Sequence, residues 1–582
     1  MRQRAGGLLT AYHAAFFELA RFALRRRSSK FPQICEDSQA CSGKRLWHKS
    51  AQPNSTMAHT PLARRIREIA AVAAESAIRQ TDVKRVLDER CARGLSRREF
   101  VRQAAVGAAM LASGPLALAT KSGGSSARVV VVGAGLAGLT CAYRLKQAGI
   151  RATIYDANTR VGGRCWTRRG DFAENQIAEH GGELIDQGHA SIRHLAQELR
   201  LPLDNLLAAE VNGTEPFYYF DGAAYTYGEA TDDLKAIWQT LHRDLSEANY
   251  PTLYNSYTAR GAELDQMSIA DWIAESVPGG GQSRLGQLLD VAYNIEYGAE
   301  TDRQSALNLL YLLGYNSPGQ FSIFGESNEK YHVRGGNDQI AAALAARLDA
   351  QIVTGSALIA VKLNAGGTYT LTLQNDRRIF DVTADKVVFA LPFSILRSAV
   401  DLSGAGLGDL KMIAIRELGM GSNSKLNVQF SNRHWTTLGN NGDTYADTGF
   451  QTTWEVTRAQ PGAAGILVDY TGGNIADTLQ QGTPAAHAAT FLNQIEPVLP
   501  GLSAKWNGRA TVDCWAANPL TRGSYSYWQI GQYTRFAGIE GAQDGNAHFC
   551  GEHTSINSQG YLNGAVETGE RVASEITTDL GG

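Results

Sequence analysis

The 582-residue sequence predicts an α/β fold built around a dinucleotide-binding unit, with enough chain for a second domain. Three observations carry this reading. A β-branched run, Arg128-Val129-Val130-Val131-Val132, leads directly into a glycine-rich turn, Gly133-Ala134-Gly135-Leu136-Ala137-Gly138. A helical pattern from Leu139 to Ala148 follows and stops at Gly149. A second short strand pattern, Ala152 to Tyr155, then closes on an acid, Asp156, which lies 21 positions after Gly135.

Each element has a physical reason. An unbroken β-branched run marks a strand covered on both faces, as a parallel sheet requires. Gly133 permits the tight turn, Gly135 lets backbone reach a pyrophosphate, and Gly138 allows the helix to pack close to the strand. The turn as a whole, Gly133, Ala134, Gly135, Leu136, Ala137 and Gly138, offers phosphates the free N–H groups and positive dipole of a helix N-terminus. A carboxylate at Asp156 accepts from ribose hydroxyls and repels a 2′-phosphate, which disfavours NADP. No Gly-Lys-Ser/Thr follows the turn, so it is not a phosphate-binding P-loop.

Composition narrows the classes further. Hydrophobic residues make up 43% and charged residues 19%, with a net charge of −2, so nothing asks for nucleic acid or an anionic membrane. Seven cysteines form no Cys-x-x-Cys pair and no cluster with zinc spacing, so neither a structural metal nor a disulfide framework is expected.

Residues 1–119 read as a leader rather than as part of the folded unit. Ser96-Arg97-Arg98-Glu99-Phe100-Val101 resembles a twin-arginine export signal. The apolar run Ala104 to Ala119 follows, broken by Gly114-Pro115, and ends in the small-x-small pattern Ala117-Leu118-Ala119. The run is too short for a membrane span. The expectation is cleavage after Ala119 and a periplasmic or secreted protein delivered by the twin-arginine machinery. Met1 and Met57 are alternative starts.

The choice between FAD and NAD turns on the next stretch. Arg160-Val161-Gly162-Gly163-Arg164 follows the second strand and lets backbone and guanidinium meet a pyrophosphate. Glu179-His180-Gly181-Gly182-Glu183-Leu184-Ile185-Asp186 then places another glycine pair before an expected apolar strand. Similar signals recur at Tyr331-His332-Val333-Arg334-Gly335-Gly336-Asn337-Asp338, ahead of a helix through Leu348, at Gly551-Glu552-His553-Thr554, and from Gly560 to Gly569. With these motifs, in this order, the chain from Ala127 onward resembles the flavin amine oxidase family, which includes monoamine and polyamine oxidases.

The resemblance implies a two-domain fold, α/β with α+β, in which a discontinuous Rossmann-like FAD-binding domain (125–187, 329–400 and 506–582) carries an inserted substrate domain (188–328 and 401–505). It implies non-covalent FAD, because Ser524 stands where some monoamine oxidases attach the flavin through cysteine. The implied cofactor contacts are the Gly133–Gly138 turn, Asp156, Ala157, Arg164, Gly182, Glu183, Leu184, Leu358, Gly551, Glu552, Tyr561 and Leu562. A helix from Gly564 to about Thr577 is expected to aim its N-terminus at the flavin.

Lys425 lies in Asn423-Ser424-Lys425-Leu426-Asn427-Val428-Gln429-Phe430, an alternating strand with Lys425, Asn427 and Gln429 on one face. From the strand alone this is a solvated lysine. Aligned with the family, ahead of His434-Trp435, it is a lysine holding a water beside flavin N5. The stretch Cys514-Trp515 to Gly523-Ser524-Tyr525 and the residue Tyr561 match positions where two aromatic rings guide the amine, so Lys425, Tyr525, Tyr561 and Trp515 are the implied catalytic set. Leu184 occupies the place of the arginine that clamps the substrate carboxylate in amino-acid oxidases. Asp186 falls where polyamine oxidases carry a pocket carboxylate, although a plain surface aspartate fits the sequence as well.

The implied reaction is hydride transfer from the amine-bearing carbon to flavin N5, with oxygen as acceptor and peroxide as product. An L-amino acid oxidase or tryptophan monooxygenase, an FAD-dependent desaturase and a non-catalytic flavoprotein are the alternatives, and a homodimer is left open. The substrate domain is rich in aromatics, including Tyr218, Tyr219, Tyr225, Tyr293, Tyr297 and Phe324, with helices expected at Ile192–Leu199 and Ala306–Leu313.

Overall fold

The computed structural model describes residues 127–313 and 329–581, together with residues 82, 83 and 85. The rest of the expected leader and its export motif, and Phe324, lie outside the described residues.

The β-branched run forms the strand Val129–Val132 at the centre of a five-stranded parallel sheet. The order is Ala547–Phe549, Lys386–Phe389, Val129–Val132, Ala152–Tyr155 and Ile352–Val353. Register is continuous across the centre, with Val130 opposite both Val387 and Thr153. Strands from three distant stretches of chain therefore share one sheet. All four central valines are buried, since both faces are covered. On one face the helix Leu136–Gln147 packs with the helices Asp338–Leu348 and Leu562–Asp579. On the other, Val130, Val132 and Phe389 share a core with Leu371 and Leu373 of a four-stranded sheet.

That second sheet is formed by Ala357–Leu363, Tyr369–Gln374 and Ile379–Ala384, and Asp401–Gly404 pairs parallel to Ala357–Leu363. The layer thus runs past residue 400, the expected domain boundary, to Gly404. A seven-stranded sheet makes the second half of the molecule. Its order is Trp506–Cys514, Asn423–Phe430, Gly465–Gly472, Thr452–Glu455, Asn440–Ala446, Glu215–Phe220 and Ala223–Ala224. Trp506–Cys514 pairs along Asn423–Phe430, so this half extends to Cys514 rather than ending at 505. The helices Tyr227–Ala248, Arg284–Tyr297 and Ala306–Leu313 contribute to the core beside it. The first starts at a capping box in which Thr226 and Glu229 satisfy each other's backbone N–H groups.

Other departures are local. The first helix begins at Leu136, three residues before its apolar periodicity, because Gly135 is its N-cap. The helix expected at Ile192–Leu199 runs Ala190–Glu198. No strand follows Gly182, only a single bridge from Ile185 to Tyr331. The carbonyls of Gly182 and Glu183 accept from Asn337 Nδ2 instead of from a neighbouring strand.

Candidate active site

A cavity of about 300 Å³ runs from the glycine turn to the face of the seven-stranded sheet. Its first end is the dinucleotide signature. Gly133 has φ +108°, and a Cβ there would lie 2.5 Å from the Ala390 carbonyl oxygen, so the turn closes only on glycine. Gly135 is different: its φ of −72° suits any residue, and a Cβ would meet no protein atom within 4 Å. The space beside it opens on the cavity, and the helix it caps carries no side-chain cap. This is a cradle that fits a phosphate approaching free N–H groups.

Gly138 and Ala134 do not line the cavity. A Cβ on Gly138 would lie 2.0 Å from the Gly133 carbonyl oxygen, which is the close-packing role its spacing predicts. Ala134 donates its N–H to Asp156 Oδ2 at 2.6 Å, and Asn158 N–H binds Oδ1 at 2.7 Å. Burial pushes the Asp156 carboxyl up, only partly offset by these two bonds. Asp156 and Ala157 line the cavity beside Leu358, which the second sheet delivers.

The middle of the cavity is held by an ion pair. Arg164 Nη1 donates to Glu552 Oε1 at 2.9 Å and to the Ser524 carbonyl at 2.6 Å. Glu552 Oε2 also accepts from Ser526 Oγ at 2.8 Å and from Gly560 N at 2.9 Å. Burial alone would raise the Glu552 carboxyl, but Arg164, His553 and Ser526 outweigh it and hold it below its ordinary value. Gly182 and Leu562 meet here, with a Cβ on Gly182 falling 2.6 Å from the Leu562 side chain. The last helix starts at Leu562 with Tyr561 as N-cap, and Gly560, Tyr561, Leu562 and Ala565 form this wall. Gly564, expected to open the helix to the cofactor, instead packs inside its first turn, 2.0 Å from the Ser558 carbonyl oxygen for a Cβ.

The far end is lined by Lys425, Glu183, Trp454, Tyr470, Tyr525 and Tyr561. Lys425 is buried, because the strand Asn423–Phe430 is covered along its whole length. Its Nζ donates to Glu183 Oε2 at 2.7 Å, to the Gly181 carbonyl at 2.9 Å and to the Glu179 carbonyl at 3.4 Å. The Glu183 carboxylate therefore faces the lysine, and its Oε1 accepts from Trp454 Nε1 at 3.0 Å. Tyr470 and Tyr525 share a hydroxyl–hydroxyl bond of 2.9 Å, and burial raises both phenols, which keeps them protonated. Trp515 anchors its indole N–H on the His180 carbonyl at 2.8 Å and lies against Gly181. Ser524 Oγ binds Asn423 Oδ1 at 2.6 Å on the same wall.

Trp454 and Tyr470 were not singled out in the sequence, although Trp454 is the one aromatic in Thr452–Glu455, a strand buried throughout. Conversely, Tyr218, Tyr219, Tyr225, Tyr293 and Tyr297 do not line the main cavity; Tyr297 lines a small neighbouring one of about 50 Å³ together with Tyr561. Asp186 is buried off the cavity wall, accepting from the Glu329 N–H and facing His189. Among the described residues no helix is long and apolar enough to cross a membrane, and no three His, Cys, Asp or Glu converge to hold a metal.

The chain is similar to known proteins in sequence and in fold. The chain is 27% identical over 505 residues to nicotine dehydrogenase of Pseudomonas putida, covering 83% of this chain and 97% of that one. It is 25% identical over 476 residues to a putative L-amino-acid oxidase of Bacillus subtilis, covering 77% of this chain and 94% of that one. Cyclohexylamine oxidase from Brevibacterium oxydans shares the fold, with a TM-score of 0.68 at 19% identity over 78% of this chain and 99% of that one. The family model described as flavin containing amine oxidoreductase matches residues 136–577, from the first turn of the glycine-capped helix to the end of the helix that closes the cavity. With the Arg164–Glu552 clamp and the ring-lined end inside that match, and the phosphate cradle of Gly133 and Gly135 immediately ahead of it, the chain belongs to the flavin-containing amine oxidoreductase family and takes FAD as its cofactor.

Proposed function

We propose that the chain oxidises a primary or secondary amine to an imine, which water converts to a carbonyl compound and ammonia or a smaller amine, while oxygen is reduced to hydrogen peroxide. Bound FAD supplies the hydride acceptor at N5 and the path of electrons to oxygen. In this reading the parallel-sheet half holds the cofactor, through the Gly133–Ala137 turn, Asp156, Ala157, Leu358, Arg164, Gly182, Leu184, Gly551, Glu552 and Leu562. The seven-stranded sheet supplies Lys425, Trp454 and Tyr470 to the substrate wall.

The chain's own part is to bind, orient and desolvate. The rings of Tyr525 and Tyr561 offer electron-rich faces to an amine, and Trp454 and Tyr470 extend that apolar surface. Excluding water strengthens each polar contact at this end. Lys425 is held at the wall by Glu183 and the Gly181 carbonyl, and its third N–H, only 3.4 Å from the Glu179 carbonyl, is the one a water can accept from and so be presented to the imine.

One observation favours an amine over an amino acid. Among the described residues three basic side chains line the cavity, and each is engaged: Arg160 on the Val161 and Gly163 carbonyls and over the Trp166 ring, Arg164 on Glu552, and Lys425 on Glu183. Residues 314–328 contain no arginine or lysine. A substrate carboxylate would enter this wall without a clamp, which costs several kcal/mol. The test is a peroxide assay on matched pairs, each an L-amino acid and its decarboxylated amine. We expect kcat/KM to favour the amine by at least about 100-fold; preference for the amino acid would refute the reading.

We also propose that the folded, FAD-loaded chain is exported by the twin-arginine machinery. The motif Ser96–Val101 and the Ala117-Leu118-Ala119 site support this. N-terminal sequencing of the exported protein should find Thr120 first, and a mature end far from it would sink the proposal.

A further inference from the structure

We propose that Glu183 determines the charge selectivity of the amine-binding wall by cancelling the charge of Lys425. This rests on the amine-oxidase reading above and deepens it. The Lys425 and Glu183 side chains are 6% and 7% exposed, and their charged atoms lie 2.7 Å apart. Both carboxylate oxygens are fixed, Oε2 by the ammonium and Oε1 by the Trp454 indole N–H at 3.0 Å. The same indole ring lies under the ammonium, 5.6 Å from Nζ to its centroid. Lysine, carboxylate and indole all face the cavity that Tyr525 and Tyr561 line.

An ammonium with no partner in such a wall would repel the substrate class the site is built to take. At a separation of about 6 Å and an effective dielectric of about 20, two like charges weaken binding on the order of 100-fold. Paired with Glu183, Lys425 presents a short dipole instead of a bare charge. The lysine can then stay at the site without opposing a cationic amine. Glu183 thus acts through Lys425, as a positioning and specificity-determining residue.

The experiment uses two unreactive probes on the FAD-loaded protein. Cumylamine has no hydrogen on the carbon bearing nitrogen and so cannot be oxidised there, and cumyl alcohol is its neutral isostere. Dissociation constants are read from the perturbation of the bound flavin spectrum, and the amine-to-alcohol ratio is the measured quantity. Glu183→Gln keeps the shape and an acceptor for Trp454 but removes the charge. It should raise the ratio by about 10- to 100-fold, while Glu183→Asp should keep it near the native value. Glu183→Gln combined with Lys425→Met should restore the ratio to within about 3-fold of native, since the pair then cancels by absence. A purely structural role would lower the melting temperature without moving the ratio, so an unchanged ratio in Glu183→Gln overturns the inference. Should Glu183→Gln fail to fold, Lys425→Met alone must lower the ratio by a factor of the same order, and no shift there overturns it equally. Native protein that binds neither probe and is bleached by no amine would refute the amine-oxidase reading and this inference with it. Native binding with a ratio indifferent to Glu183 refutes the inference alone.

Discussion

Two neighbouring glycines should fail in opposite ways. At Gly133, alanine must adopt φ +108° and place its methyl 2.5 Å from the Ala390 carbonyl oxygen. The backbone term costs about 1–2 kcal/mol and the overlap about 1–3 kcal/mol. Gly133→Ala should therefore destabilise the apoprotein by roughly 2–5 kcal/mol. At Gly135, φ is −72° and the new methyl meets no protein atom within 4 Å. Alanine there loses part of a glycine N-cap preference and gains from a stiffer unfolded chain, so stability should change by less than about 1 kcal/mol. Its methyl nevertheless stands where a pyrophosphate must come to meet the helix N–H groups. Losing one charge-assisted bond of about 1.5–3 kcal/mol weakens FAD binding by about 10- to 150-fold. Thermal melting of the apoproteins and titration of FAD by quenching of its fluorescence separate the two effects. Native FAD affinity in Gly135→Ala, or a Gly135→Ala apoprotein that melts many degrees low, would show that this space is not kept for the cofactor.

Three further outcomes follow from the same contacts. Glu552→Gln breaks a pair in which Arg164 is 22% and Glu552 6% exposed, and should cost about 1–3 kcal/mol at pH 7; because Arg164, His553 and Ser526 hold the folded carboxyl below its ordinary value, the gap to native should close only as pH falls below the ordinary glutamate range, and a gap that persists in strong acid would contradict this. Asp469 is buried between Leu426 and Thr453 of its two neighbouring strands, and burial pushes its carboxyl up to about 8. The folded state therefore holds a proton that the unfolded state releases, and native stability falls as pH rises from about 4 towards 8. Asp469→Asn should be more stable than native at pH 8 by on the order of a few kcal/mol and should lose that advantage towards pH 4, as paired thermal melts would show. Tyr525→Phe keeps the ring but removes the bonds to Tyr470 and to the Ile295 carbonyl; its kcat/KM should stay within about 3-fold of native, whereas Tyr525→Leu should lose about 10-fold or more, and equal losses would assign the role to the hydroxyl.

The cofactor end was legible because its signals are local. The strand Val129–Val132, the turn, the strand Ala152–Tyr155 and Asp156 follow one another within 28 residues, and each glycine states a backbone need. Sheet membership was less legible. Nothing in Trp506–Cys514 says that it pairs with Asn423–Phe430, since pairing partners leave no mark within the strand itself. Burial of Lys425 was hidden for a related reason: the alternating pattern suggests one wet face, but a polar network covers that face. Trp454 and Tyr470 lie on strands buried on both faces, where periodicity no longer separates a cavity wall from a core. Gly564 shows the converse error, a glycine near the cofactor whose need is packing against Ser558.

The central claim, that this cavity oxidises amines, is tested most directly by mixing the FAD-loaded protein, without oxygen, with aryl-alkyl monoamines, diamines, polyamines and L-amino acids in turn. An amine is expected to bleach the flavin absorbance, and admitting air to restore the colour with release of hydrogen peroxide. A bound flavin that no amine bleaches would contradict it.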